Sequence, residues 1–169
     1  MVEVKKVISV VVRALEVLTQ AGEAKAVDHG RSASGWSDYS GNDLEAARAV
    51  QEALITMPAE SYLALMWLIA KDNPQLGEPF LKDLTTFVAH SIPDGDRFGR
   101  SGLEYWVRHW AKRDGSSREA AFLFGKSFAT HQRFYREQVD VRLNAWLTVA
   151  KGRVEEVIDV HYCDYRDAA

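Results

Sequence analysis

The segment Tyr62–Ala70 constrains this chain more than any other. Tyr62, Leu63, Leu65, Met66, Trp67, Leu68 and Ile69 would make a helix from about Pro58 to Lys71 apolar almost all the way round. Such a surface must be covered on nearly every side, so the pattern predicts a central helix with other helices packed about it. The run is about half of the ~20 residues that cross a bilayer, which points to a buried helix and not a membrane span.

The flanking segments supply those helices. Val4, Val7, Ile8, Val11, Leu15 and Leu18 fall on one helical face, although the β-branched run Val7–Val12 also allows a strand. Asn42 followed by Glu45 resembles a capping box, and Leu44, Ala47, Val50 and Leu54 continue that helix. Met57-Pro58 breaks it. Pro58 then suits the first position of the central helix, with Glu60 favourable in its first turn. Asp72–Gly77 reads as a turn, and Glu78–His90 as a helix with Phe80, Leu81, Leu84, Phe87 and Val88 inward. Asp28–Gly41, rich in Gly, Ser and Asp with Trp36 and Tyr39 embedded, reads as a loop, as does Ser91–Arg100. The fold class expected is all-α.

Charge divides the chain where hydropathy does not. The formal net charge is −3, yet residues 1–96 balance at −6, residues 97–153 at +7 and residues 154–169 at −4. The middle block can therefore attract polyanions although the whole is mildly acidic. The bland alternative is that basic and acidic surfaces pair with each other within the fold. The organisation expected is an acidic helical body over 1–96, a basic region over 97–153 and an acidic tail over 154–169. Any subdomain boundary falls in the 91–100 loop.

The basic block contains the most informative pattern. Gly102–Lys112 reads as a helix with Leu103, Trp106, Val107 and Trp110 on one side, followed by the turn Arg113-Asp114-Gly115. Ser116 or Ser117 caps a short helix, Arg118–Phe124. Gly125 ends it, and a long helix starts near Ser127 and runs to about Lys151. Short helix, glycine turn and long helix make a helix-turn-helix. Ala120 and Ala121 are small where the two helices approach, and Gly125 supplies the conformation of the tight turn. Phe128, Tyr135, Val139, Leu143 and Trp146 form the buried stripe of the long helix. His131 packs between the helices. Gln132, Arg133 and Arg136 project where side chains would reach base edges and phosphates, and Arg118 and Lys126 flank the turn as phosphate contacts. Ser127 and Thr130 lie at the start of the second helix.

The stretch Ser117–Gln138 (SREAAFLFGKSFATHQRFYREQ) resembles the helix-turn-helix of the region 4 domain of sigma-70-type factors. Ser117, Arg118, Ala121, Gly125, Ser127, Thr130 and Arg133 follow that pattern in order. Lys126 and His131 stand where the pattern usually has aliphatic residues. A helical body followed by such a motif also resembles the Q antitermination proteins of lambdoid phages. That resemblance implies a regulator that contacts DNA beside a promoter and acts on RNA polymerase, with the sigma factor nearby, in the cytoplasm of a phage's host. It implies Arg118, Lys126, Ser127, Thr130, Gln132, Arg133 and Arg136 as DNA-binding residues. Some members carry cysteine-rich zinc inserts. With Cys163 as the single cysteine, this chain would belong with the metal-free kind.

Other constellations carry less. One cysteine excludes an intrachain disulfide framework and a four-cysteine zinc site. His161, Tyr162, Cys163 and Asp164 match no common metal spacing. His29, Arg31, Ser32 and Ser34 lie in a glycine-bearing loop without a Walker pattern. Asp94 and Asp96 beside Gly95 lack the rest of a calcium loop. No residue pattern marks an activated nucleophile, so neither catalysis nor a cofactor is expected. Lys5 and Lys6 before an apolar stretch mimic an export signal, but Arg13 and Glu16 interrupt it and no cleavage pattern follows. The expected location is cytoplasmic, with no membrane contact. The rival reading is a protein-directed inhibitor of a host factor, its acidic faces mimicking nucleic acid and its helix-turn-helix serving only for packing.

Overall fold

A computed structural model describes residues 4–27, 41–93 and 95–162, the side chains of 23–27 excepted. Among these residues the regular structure is entirely helical. The loop carrying His29, Arg31, Ser32, Ser34, Trp36 and Tyr39 lies outside the described residues, as do Asp94, Cys163 and Asp164. No described helix is long and apolar enough to cross a membrane. The helices fall into two compact units, one within Met1–Met57 and Lys151–Ala169, the other Pro58–Ala150. The 91–100 loop lies inside the second unit.

The first unit pairs α1 (Val4–Val27) with α2 (Gly41–Thr56). Val7, Val11, Ala14 and Val17 are buried at steps of three and four residues, the spacing of one helical face. That periodicity decides against the strand that the β-branched run allowed. Ala46, Ala47, Val50 and Leu54 are the buried face of α2, and Arg13 pairs with Asp43 at 3.5 Å. Gly41 and Asn42 are already helical, so Asn42 is not the cap expected from its spacing to Glu45.

The second unit opens with α3 (Ala59–Ala70), which packs on α4 (Pro74–Ser91), and α4 packs on α5 (Gly99–Lys112). Pro58 is the residue before α3, not its first helical position. Trp67, Leu81, Leu84, Val88, Leu103, Trp106, Val107 and Trp110 share one core. The buried indole of Trp67 donates to the Val107 carbonyl at 3.3 Å, so the ring meets both its apolar and its polar requirement.

Two expectations about α4 need correction. The segment Asp72–Gly77 is not all turn, because Asn73 Oδ1 accepts from the N–H groups of Gln75 and Leu76. With Pro74 at the first helical position, that cap starts the helix four residues before Glu78. Phe87 does not point inward; it is exposed.

The chain continues through α6 (Ser117–Phe124) and α7 (Phe128–Phe134), then a π-helical segment, Tyr135–Asp140, and α8 (Val141–His161). The long helix expected to end near Lys151 therefore reaches His161 and is interrupted by a wider turn. The spacing of its buried residues explains the interruption. His131, Tyr135, Val139 and Leu143 are all buried at three successive steps of four residues. In an α-helix each such step overshoots a full turn by about 40°. One π turn absorbs an extra residue and returns the stripe to one side.

Candidate nucleic-acid interface

The α6–α7 pair is built from caps. Ser116 Oγ accepts from Glu119 N–H at 3.2 Å, which makes Ser116 the N-cap of α6. The Tyr105 hydroxyl on α5 accepts from Ser116 N–H at 2.7 Å and lies 3.0 Å from both the Ser116 carbonyl and the Glu119 carboxylate. The start of α6 is thereby fastened to α5. At its other end Gly125 has φ 69° and ψ −169°. Essentially only glycine occupies that region without strain. Gly125→Ala is expected to destabilise the second unit by about 1–3 kcal/mol, read as a shift in urea midpoint with unchanged slope. A loss below a few tenths would mean the turn relaxes into another conformation.

Lys126 also has positive φ, 67°. Ser127 then caps α7: its Oγ accepts from Thr130 N–H at 3.2 Å and lies 2.8 Å from Thr130 Oγ1. Both hydroxyls are thus engaged in the cap that orients α7.

α6 packs on α7, and small or aromatic residues line their inner side. Ala120, His131 and Phe134 are buried. His131 Nε2 lies 2.7 Å from the Gly125 carbonyl, which can only accept, so the proton sits on Nε2 and the ring ties α7 to the turn. His131 Nδ1 is buried with no hydrogen-bond partner among the described residues. Phe98 stacks on the imidazole at 4.1 Å and meets Phe134 edge-on at 4.8 Å. Gly102 lets α5 come close, since a Cβ there would sit 2.7 Å from Phe98 Cβ and 3.5 Å from the Phe124 ring. Phe128, expected in the buried stripe, is instead 45 % exposed. It is the first residue of α7 and does not share the buried face of His131 and Phe134.

Outward, Arg118, Lys126, Arg133 and Arg136 are exposed and Gln132 is half-buried. Arg118, Lys126 and Arg136 make no ion pair among the described residues, and Arg133 Nε reaches Glu137 only at 4.0 Å. Cations and acids do pair elsewhere in the basic block: Arg108 binds Glu78 at 3.0 Å and Glu104 at 3.2 Å. Gln132 and Arg133 lie on α7, whereas Arg136 falls on the π segment, so its register with Arg133 is that of a wider turn.

The π segment is braced by polar groups. Tyr135 donates to Asp140 Oδ1 at 3.1 Å across five residues, and Arg113, at the left-handed end of α5, donates to the Tyr135 oxygen at 2.9 Å. Burial, then the Asp140 carboxylate, pushes the Tyr135 phenol up to about 12, with Arg113 acting the other way. A raised phenol favours the neutral form in the folded chain. Stability from this group is complete below the unfolded value near 10 and is lost as pH rises through about 12. Denaturant titrations between pH 9 and 12 are expected to show a steeper decline for the wild type than for Tyr135→Phe. Equal declines would mean that the phenol is solvated.

Sequence reasoning missed Arg97. It lines one groove together with Thr130, Arg133, Glu137 and Gln138. No local motif marks it, because its place follows from the burial of its neighbour Phe98. Among the described residues no group of three or more His, Cys, Asp or Glu side chains is arranged to hold a metal ion. The chain matches no protein family, no curated protein and no solved structure with which it was compared.

Proposed function

We propose that this chain is a sequence-specific DNA-binding transcription regulator that uses α6 and α7 as a helix-turn-helix. In its finer form the proposal is a phage Q-type antiterminator with a sigma region 4-like motif, acting on RNA polymerase and requiring no cofactor. One observation carries the reading. Arg118, Lys126, Arg133 and Arg136 stand exposed around a capped two-helix unit, and three of the four lack an acidic partner among the described residues. Cations left unpaired on one short segment suit a polyanion better than a self-neutralised surface does.

A second reading draws on a different feature of the same segment. Phe122 is 88 % exposed and Leu123 54 %, and apolar side chains beside exposed cations also suit a protein partner. In this reading the chain is a protein-directed inhibitor of a host factor, and α6–α7 is an interaction module.

Selection of bound fragments from a random-sequence duplex pool, at low and at physiological salt, separates the two. A DNA reader recovers a defined motif and loses affinity steeply as salt rises. A protein-directed inhibitor recovers nothing at either salt and retains a protein partner in a pull-down.

A further inference from the structure

We infer that the groove between the 95–98 segment and α7 is a phosphate-binding cleft in which Arg97 and Arg133 grip one backbone phosphate of the nucleic acid. This rests on the DNA-binding reading and extends the interface to a loop outside the two-helix unit. Arg97, Thr130, Arg133, Glu137 and Gln138 line the groove. Two arginines therefore line it from separate elements, one on a loop and one on α7. Planar guanidinium forks match the paired oxygens of a phosphate.

Phe98 fixes the position of Arg97. The Phe98 ring is buried against His131 and Phe134, and the Arg97 guanidinium carbon lies 5.9 Å from the centre of that ring. Gly99 N–H closes the local turn on the Asp96 carbonyl at 3.0 Å. A side chain whose neighbour is anchored in the core loses less freedom on binding than one on a long free loop.

Glu137 opposes Arg133. Its carboxylate lies 4.0 Å from Arg133 Nε, with the two side chains 68 % and 77 % exposed. Ion pairs so exposed are worth little, and a phosphate can take the place of Glu137 on the guanidinium. Thr130 Oγ1 shares a hydrogen with Ser127 Oγ and can turn its own hydrogen toward a phosphate oxygen.

The test compares Arg97→Ala, Arg97→Lys and wild type on the selected duplex across a salt series. Arg97→Ala removes one of the two cations set against that phosphate and should flatten the plot of log affinity against log salt by up to about 0.9, lower affinity alike for matched and mismatched duplexes, and leave the motif unchanged. Arg97→Lys should keep the slope, because it keeps the charge. Arg97 is exposed, so the variants should fold, which far-ultraviolet circular dichroism verifies. A wild-type slope in Arg97→Ala overturns the cleft while leaving the DNA reading intact. If the wild type binds no duplex, the DNA reading fails, and titration with inorganic phosphate and pyrophosphate decides the cleft separately. Binding weakened by Arg97→Ala then supports a site for free phosphate, and binding indifferent to it overturns the site.

Discussion

Alanine at both Arg133 and Arg136 is expected to weaken binding to the selected duplex by about 1–3 kcal/mol for a bidentate base contact through Arg136, with a further salt-dependent loss for the phosphate contact of Arg133. The fold should hardly notice. Both side chains are exposed, and the Arg133–Glu137 pair at 4.0 Å contributes little to stability. Surface changes of that sort usually stay within ~0.5 kcal/mol. Fluorescence anisotropy with matched and scrambled duplexes reads both terms. Loss confined to the matched duplex assigns the two residues to base readout. Equal loss on both duplexes assigns them to phosphates, with a flatter salt dependence. Unchanged affinity on both would falsify the recognition face chosen here.

The π segment makes the single variants informative. Arg133 sits on regular α-helix and Arg136 two residues past its end, so the two do not keep the spacing of one α-helical face. If both reach bases, the single losses should fall at different positions of the motif. The region where a recognition helix would lie is thus also where this chain departs from regular helix. π turns inside helices are often associated with functional sites.

What the sequence made legible was whatever local chemistry decides. The Ser116 and Ser127 caps and the Gly125 turn were readable because each is a short-range hydrogen-bond or backbone requirement. The all-helical class rested on the periodicity of α2 and on the all-round apolar surface of α3, while α1 was periodic but left a strand open. Asn73-Pro74 was an equally local signal, a cap residue followed by a favoured first position, but Pro74 and Gly77 together read as a turn and masked it. The π segment had a trace in the four-residue steps of His131, Tyr135, Val139 and Leu143. His131 belongs to that trace by its expected packing between the helices, but what buries it is not local. Burial of His131 depends on Phe98, more than thirty residues earlier in the chain, and on the Gly125 carbonyl. Arg97 was out of reach for the same reason, since a loop cation joins a groove through a tertiary contact and not through spacing.

The largest loss of stability is expected at Trp106, the residue that supports the candidate interface from behind. It is fully buried on α5. Its ring stacks on Tyr135 at 4.9 Å, meets Tyr105 and His109 edge-on at 5.1 and 5.4 Å, and lies 5.9 Å from His131. Those neighbours cap α6, tie α7 to its turn and brace the π segment, so one side chain backs every element of the site. Trp106→Ala is expected to cost about 3–5 kcal/mol, the usual range for emptying a buried aromatic site. Trp106→Phe should cost well under half of that. It keeps a ring in place, and it removes an indole N–H that is buried without a hydrogen-bond partner, a group whose loss relieves a desolvation penalty. Urea denaturation followed by circular dichroism gives both values. If alanine and phenylalanine cost the same, the full indole volume and not an aromatic ring as such carries the loss, and ring stacking is not what holds α6 and α7 in place. If the expected order holds, Trp106→Phe should also retain duplex binding where Trp106→Ala loses it, because binding by α6 and α7 requires both helices to be fixed before the nucleic acid arrives.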